Sequence, residues 1–198
     1  MSRRQDDGPA APLTGENWTL EMPLEDLEAT ERFAHILAAE LTAGTLLVLT
    51  GGLGAGKTTF TQSLAEGLDV TGPVSSPTFV LSRIHRRAAE GPDLVHVDAY
   101  RTDAEGLESL DLLSTLAGSV TVIEWGRGLV EHALVGEGGS WLDLELESIS
   151  AEDCSSAGGG KIITDFSESE EDLLGTPRRA MLRGYGPLWL RPPDALNG

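Results

Sequence analysis

The stretch GGLGAGKTTF, residues 51–60, constrains this chain more than any other. It satisfies the pattern G-x-x-x-x-G-K-[ST] in full, through Gly51, Gly56, Lys57 and Thr58. The apolar run TLLVLT, residues 45–50, precedes it and reads as a buried parallel strand. Thr58 to Leu68 reads as a helix. In that setting the glycines free the backbone to approach an anion, and inward-pointing amides at the start of a helix attract phosphate. The expected ligand set for a nucleoside triphosphate is Gly54, Ala55, Gly56, Lys57, Thr58 and Thr59. Lys57 reaches the β- and γ-phosphates, and the Thr58 hydroxyl faces Mg²⁺.

The rest of the chain sets a frame around that loop. WTLEMP, residues 18–23, alternates like a short strand, and Leu27, Phe33, Ile36, Leu37 and Leu41 form one stripe of a helix over 24–41. Further strands are expected at 79–84, 94–98, 119–125 and 178–186, with a helix at 108–118. WLDLELE, residues 141–147, alternates strictly and is expected to be half-exposed. Strands alternating with helices imply an α/β fold of the P-loop NTPase type. It is a three-layer sandwich with a largely parallel central sheet and additional antiparallel strands. Residues 1–16 read as a disordered leader, and 17–198 as a single domain. Within it, 148–176 carries seven acidic residues, one Lys and a GGG run, and reads as a flexible acidic insert.

Charge narrows the function classes. Fourteen Lys+Arg against 32 Asp+Glu give a formal net charge of -18, which disfavours unaided binding to nucleic acid. Arg83, His85, Arg86 and Arg87 form a local basic cluster, read as a solvated loop after a strand. A single cysteine, Cys154, rules out an internal disulfide, and a reducing, cytoplasmic compartment is expected. The N-terminus lacks the apolar core of a signal peptide, and no run approaches the roughly 18 apolar residues of a membrane helix.

A second metal-side acid is needed at a neighbouring strand end. Asp98 ends LVHVD and Glu124 ends VTVIE, so one is expected to contact metal and the other to orient or deprotonate water. His96, two residues before Asp98, is expected on the same face as a packed or Asp98-supporting histidine. Trp125 has two readings, core packing or a ring at the site mouth or a partner surface.

Taken together, GGLGAGKTTF, VSSPTF (74–79), HVDAYR (96–101) and VIEWG (122–126) resemble, in order and spacing, the bacterial TsaE (YjeE) family. The resemblance runs over about 18–147 and again over 178–186. It implies an ATPase that binds ATP with Mg²⁺ and works with TsaB and TsaD. Those partners place a threonylcarbamoyl group on the tRNA adenosine beside the anticodon, so tRNA is engaged only indirectly. It further implies Thr58 and Glu124 as metal contacts, and Lys57, Asp98 and the switch-like Thr78 as catalytic residues. Ser76 and Pro77 belong to the same switch-like loop. An arginine at the start of the final strand often approaches the nucleotide in such proteins; Arg179 is the choice here, with Arg178 as the alternative. Gly52 stands where the family usually has Asp.

The alternative is a small-molecule kinase on the same fold, which needs an acceptor pocket and an arginine-bearing lid. The expected helix 108–118 and the segment after Trp125 show no such lid, having only Arg127. A GTPase would need N-K-x-D, and the chain's only lysines are Lys57 and Lys161.

Overall fold

The structure, a computed structural model, describes residues 10–77, 81–88, 90–100, 106, 110–149 and 176–196. The described strands are β1 (Trp18–Leu24), β2 (Leu46–Thr50), β3 (Ser82–His85), β4 (Asp93–Asp98), β5 (Ser119–Glu124), β6 (Trp141–Ser148) and β7 (Arg178–Tyr185). They form one sheet in the order β1-β7-β6-β2-β5-β4-β3. Its centre is parallel: β2 pairs with both β5 and β6, and β4 pairs with β5. The flanks are antiparallel, with β7 between β6 and β1 on one side and β3 against β4 on the other.

Helices cover both faces. α1 (Leu27–Glu40) starts where the Asp26 side chain accepts the Ala29 amide at 2.7 Å. It buries Phe33, Ala34, Leu37 and Ala38, while Ile36, expected on that stripe, turns partly to solvent. α2 (Lys57–Gly67) packs beside α1, with Phe33 and Phe60 ring centroids 5.5 Å apart. Both helices lie over the face built from Leu47, Leu49, Leu94, Val122, Leu144 and Leu182. The opposite face, with Leu46, Val48, Val95, Val97 and Ile123, packs with Leu112 of α3 (Leu112–Leu116) and with Leu134 and Val135 of α4 (Glu131–Val135). Two faces covered by helices make β2 a nearly continuous apolar run, as the sequence pattern implied. No helix among the described residues is long and apolar enough to cross a membrane.

One sequence expectation about the sheet needs correction. β6 is not half-exposed: Trp141 to Leu146 are all buried, because β6 lies inside the sheet between β7 and β2. Its alternating acids, Asp143 and Glu145, face Arg127 and Arg183 instead of water. Within the expected leader, residues 10 and 13 make contacts with the domain. Arg127 donates to the Ala10 carbonyl at 2.8 Å, the Tyr185 hydroxyl donates to the Leu13 carbonyl at 2.8 Å, and Leu13 packs on the second core cluster. Residues 1–9, and 150–175 of the proposed acidic insert, lie outside the described residues.

Candidate nucleotide site

The phosphate loop, residues 51–56, joins the end of β2 to the start of α2. Its glycines are required by geometry at two positions. Gly51 has φ 149°, and a Cβ there would lie 2.4 Å from the Leu146 carbonyl oxygen of β6. Gly56, at φ 94°, precedes the first helical residue and would drive a Cβ to within 2.9 Å of Arg178 Nε. No side chain caps α2, so the helix does not occupy its own leading amides with a side-chain acceptor. Ala55 is buried, Gly54 is exposed and Thr59 is half-buried on the first turn.

Lys57 lies in the cradle, with Nζ donating to the Gly51 carbonyl at 3.0 Å and the Gly52 carbonyl at 2.8 Å. The ammonium sits 3.8 Å from the centre of the Trp125 ring. Burial pulls its pKa down from 10.5 to about 8, against the upward push of Glu124 and then Asp98. Trp125 therefore stands at the site mouth and in neither core cluster. It holds φ 63°, left-handed backbone that is costly for a bulky residue, and its ring packs on Tyr100 at 5.0 Å between centroids.

The two strand-end acids meet as expected from their positions. β4 and β5 run parallel with Asp98 opposite Glu124 in register, so both carboxylates emerge on the α2 face. The Thr58 hydroxyl donates to Glu124 Oε1 at 3.3 Å. Asp98 accepts the Tyr100 amide at 3.0 Å and the Ser76 hydroxyl at 3.4 Å. Ser76 thus brings the switch-like segment to Asp98, whereas Thr78 lies outside the described residues. His96 does not support Asp98: its Nε2 is 2.9 Å from Glu124 Oε1.

Of the two arginines, Arg178 is the one that faces the loop. Arg178 Nε donates to the Ala55 carbonyl at 3.1 Å and is buried, while Arg179 points away and pairs with Glu147. Strand parity explains the difference. Arg178 shares its face with Ala180 and Leu182, which pack in the cluster under α2, and Arg179 shares the other. β7 runs against the parallel strands, so its first residue lies at the end of the sheet where the loop sits. The clue was present in the sequence: A180 and L182 mark the core face of RRAML, which assigns Arg178 inward.

These residues fit a magnesium-bound nucleotide. Among the described residues no group of three His, Cys, Asp or Glu side chains is placed to hold a metal ion unaided. One hydroxyl beside one carboxylate is the incomplete set that suits Mg²⁺, which draws its other ligands from phosphate and water.

The family model "Threonylcarbamoyl adenosine biosynthesis protein TsaE" matches residues 24–154. The chain belongs to the TsaE family. A TsaE protein of Streptomyces coelicolor is 56% identical over 98 residues, covering 48% of this chain and 66% of that protein. One from Mycobacterium bovis is 42% identical over 138 residues, covering 66% of this chain and 80% of its own. The crystal structure of Bacillus subtilis YdiB superposes with a TM-score of 0.54 at 26% identity, covering 86% of this chain and 88% of that one. The fold is accordingly the P-loop α/β fold.

Proposed function

We propose that this TsaE-family chain is a Mg²⁺-dependent ATPase required for threonylcarbamoylation of the tRNA adenosine next to the anticodon. It acts in the cytoplasm with TsaB and TsaD and supports turnover of that transferase complex. The observation that carries the reading is the cluster at the loop: Lys57, Thr58, Glu124 and Asp98 converge at the ends of β2, β4 and β5. The names of the relatives supply the pathway.

In this reading Gly54, Ala55, Gly56 and Thr59 bind phosphate through the cradle and the first turn of α2. Lys57 leaves the Gly51 and Gly52 carbonyls to neutralise the β,γ-bridge. Thr58 and Glu124 would hold Mg²⁺, which would supply positive charge against that developing on the phosphate oxygens. Asp98, held by the Tyr100 amide and Ser76, accepts the proton of the attacking water or orients it. Arg178, and not Arg179, is the arginine beside the cradle in this reading. The net charge of -18 fits a component that leaves tRNA to its partners.

The test is reconstitution: purified chain, TsaB and TsaD of the same organism, tRNA, ATP and the threonylcarbamoyl donor. Multiple-turnover modification should need this chain and should fail with Lys57→Ala. Equal turnover without the chain, or ATP consumption that instead follows a small phosphate acceptor, overturns the reading and favours the kinase.

A further inference from the structure

Glu124 is almost wholly buried, and one of its oxygens carries two donors. Oε1 lies 2.9 Å from His96 Nε2 and 3.3 Å from Thr58 Oγ1. His96 itself is fully buried. The register of β4 and β5 sets His96 opposite Val122 and Asp98 opposite Glu124, so His96 and Glu124 are diagonal neighbours on one face of the sheet. The contact follows from backbone pairing and not from a chance rotamer.

The chemistry of the pair assigns its direction. An ionised carboxylate only accepts, so the imidazole donates through Nε2–H. Among the described residues the other ring nitrogen, Nδ1, is buried with no hydrogen-bond partner. A proton there would be a buried donor without an acceptor, which favours the neutral Nε2–H tautomer. A neutral donor differs from an arginine or lysine at the same place. It fixes a carboxylate oxygen without cancelling the charge that a divalent cation must meet.

We propose that His96 is a positioning residue for the metal-side carboxylate: its Nε2–H holds Glu124 aligned with the Thr58 hydroxyl for a divalent cation. The inference rests on the nucleotide reading above. It assigns His96 a role that the Asp98-supporting expectation missed, because HVD suggests service to the near neighbour while the sheet delivers the ring to the next strand.

The experiment measures binding of a fluorescent ADP analogue in MgCl₂ and in EDTA, read as the ratio of the two affinities. A general loss of fold or cradle lowers both and cancels in the ratio. The wild-type ratio should exceed one; a ratio of one overturns the nucleotide–Mg²⁺ reading itself. Given a wild-type ratio above one, His96→Leu should raise the Mg²⁺ concentration needed at half-saturation by about 10-fold, the scale of outer-shell ligand losses. His96→Gln, whose amide can donate from the same reach, should restore most of it. In a Glu124→Gln background His96→Leu should add little. An unchanged Mg²⁺ requirement in His96→Leu, or an equal defect in His96→Gln, overturns the positioning role. If His96→Leu does not fold, ¹⁵N-histidine spectra of the wild type decide. Nε2 protonated and Nδ1 bare supports the proposal, and the opposite tautomer refutes it.

Discussion

Arg127 is the residue whose removal should cost the most away from the nucleotide. It donates to both Asp143 oxygens, Nε at 2.9 Å and Nη2 at 2.8 Å, and through Nη2 to Glu145 at 3.1 Å. Arg183 Nη1 completes the quartet, reaching Asp143 at 3.0 Å and Glu145 at 2.9 Å. The four charges sum to zero, and all four side chains are buried. Arg127→Ala leaves two carboxylates facing a single guanidinium in a buried site. Breaking one partner from a buried pair typically costs about 3–5 kcal/mol. For a domain of this size, at roughly 2–4 °C per kcal/mol, the melting temperature should fall by about 6–20 °C. Arg179→Ala is the control: it breaks the Glu147 pair, which is exposed, and such pairs contribute about 1 kcal/mol or less. Differential scanning calorimetry and urea unfolding of both variants measure the contrast. Because Arg127 follows Glu124 and Trp125 closely in the chain, the loss should also loosen the segment that carries them. Should Arg127→Ala unfold within 1 °C of wild type, the quartet is not a buried unit and the argument fails.

Other outcomes follow from the same geometry. Arg178→Ala should weaken nucleotide binding several-fold and Arg179→Ala should leave it near wild type, read by equilibrium titration; the reverse ranking would put Arg179 back at the site. Asp98→Asn should keep nucleotide affinity while suppressing ATP hydrolysis at least tenfold, and a comparable loss of Mg²⁺ affinity would exchange its role with that of Glu124. Burial pushes the Tyr185 hydroxyl up to about 12, helped by Asp143 and Glu16. Its folded pKa exceeds its unfolded value near 10, so its stabilisation is complete below pH 10 and is lost as pH rises through about 12. Ultraviolet titration should therefore show one of the chain's two tyrosines ionising well after the other, and Tyr185→Phe should flatten the alkaline loss of stability.

Much of this protein is determined by short-range pattern. A glycine-rich segment between an apolar run and a helix has few other uses, so residues 51–58 specify the loop before any tertiary contact is known. Apolar runs ending in Asp98 and Glu124 likewise place both acids at strand ends, because parallel strands buried on two faces must be apolar until they emerge. What the chain could not declare locally was decided by pairing across it. Period-two alternation in WLDLELE says only that two faces differ, not that one meets water. β6 happens to lie inside the sheet, so its acids had to find Arg127 and Arg183, distant in sequence. The same limit applies to RR at 178–179 and to His96. Which arginine turned inward and which carboxylate received the imidazole depended on register between strands, a relation among segments that no single segment contains.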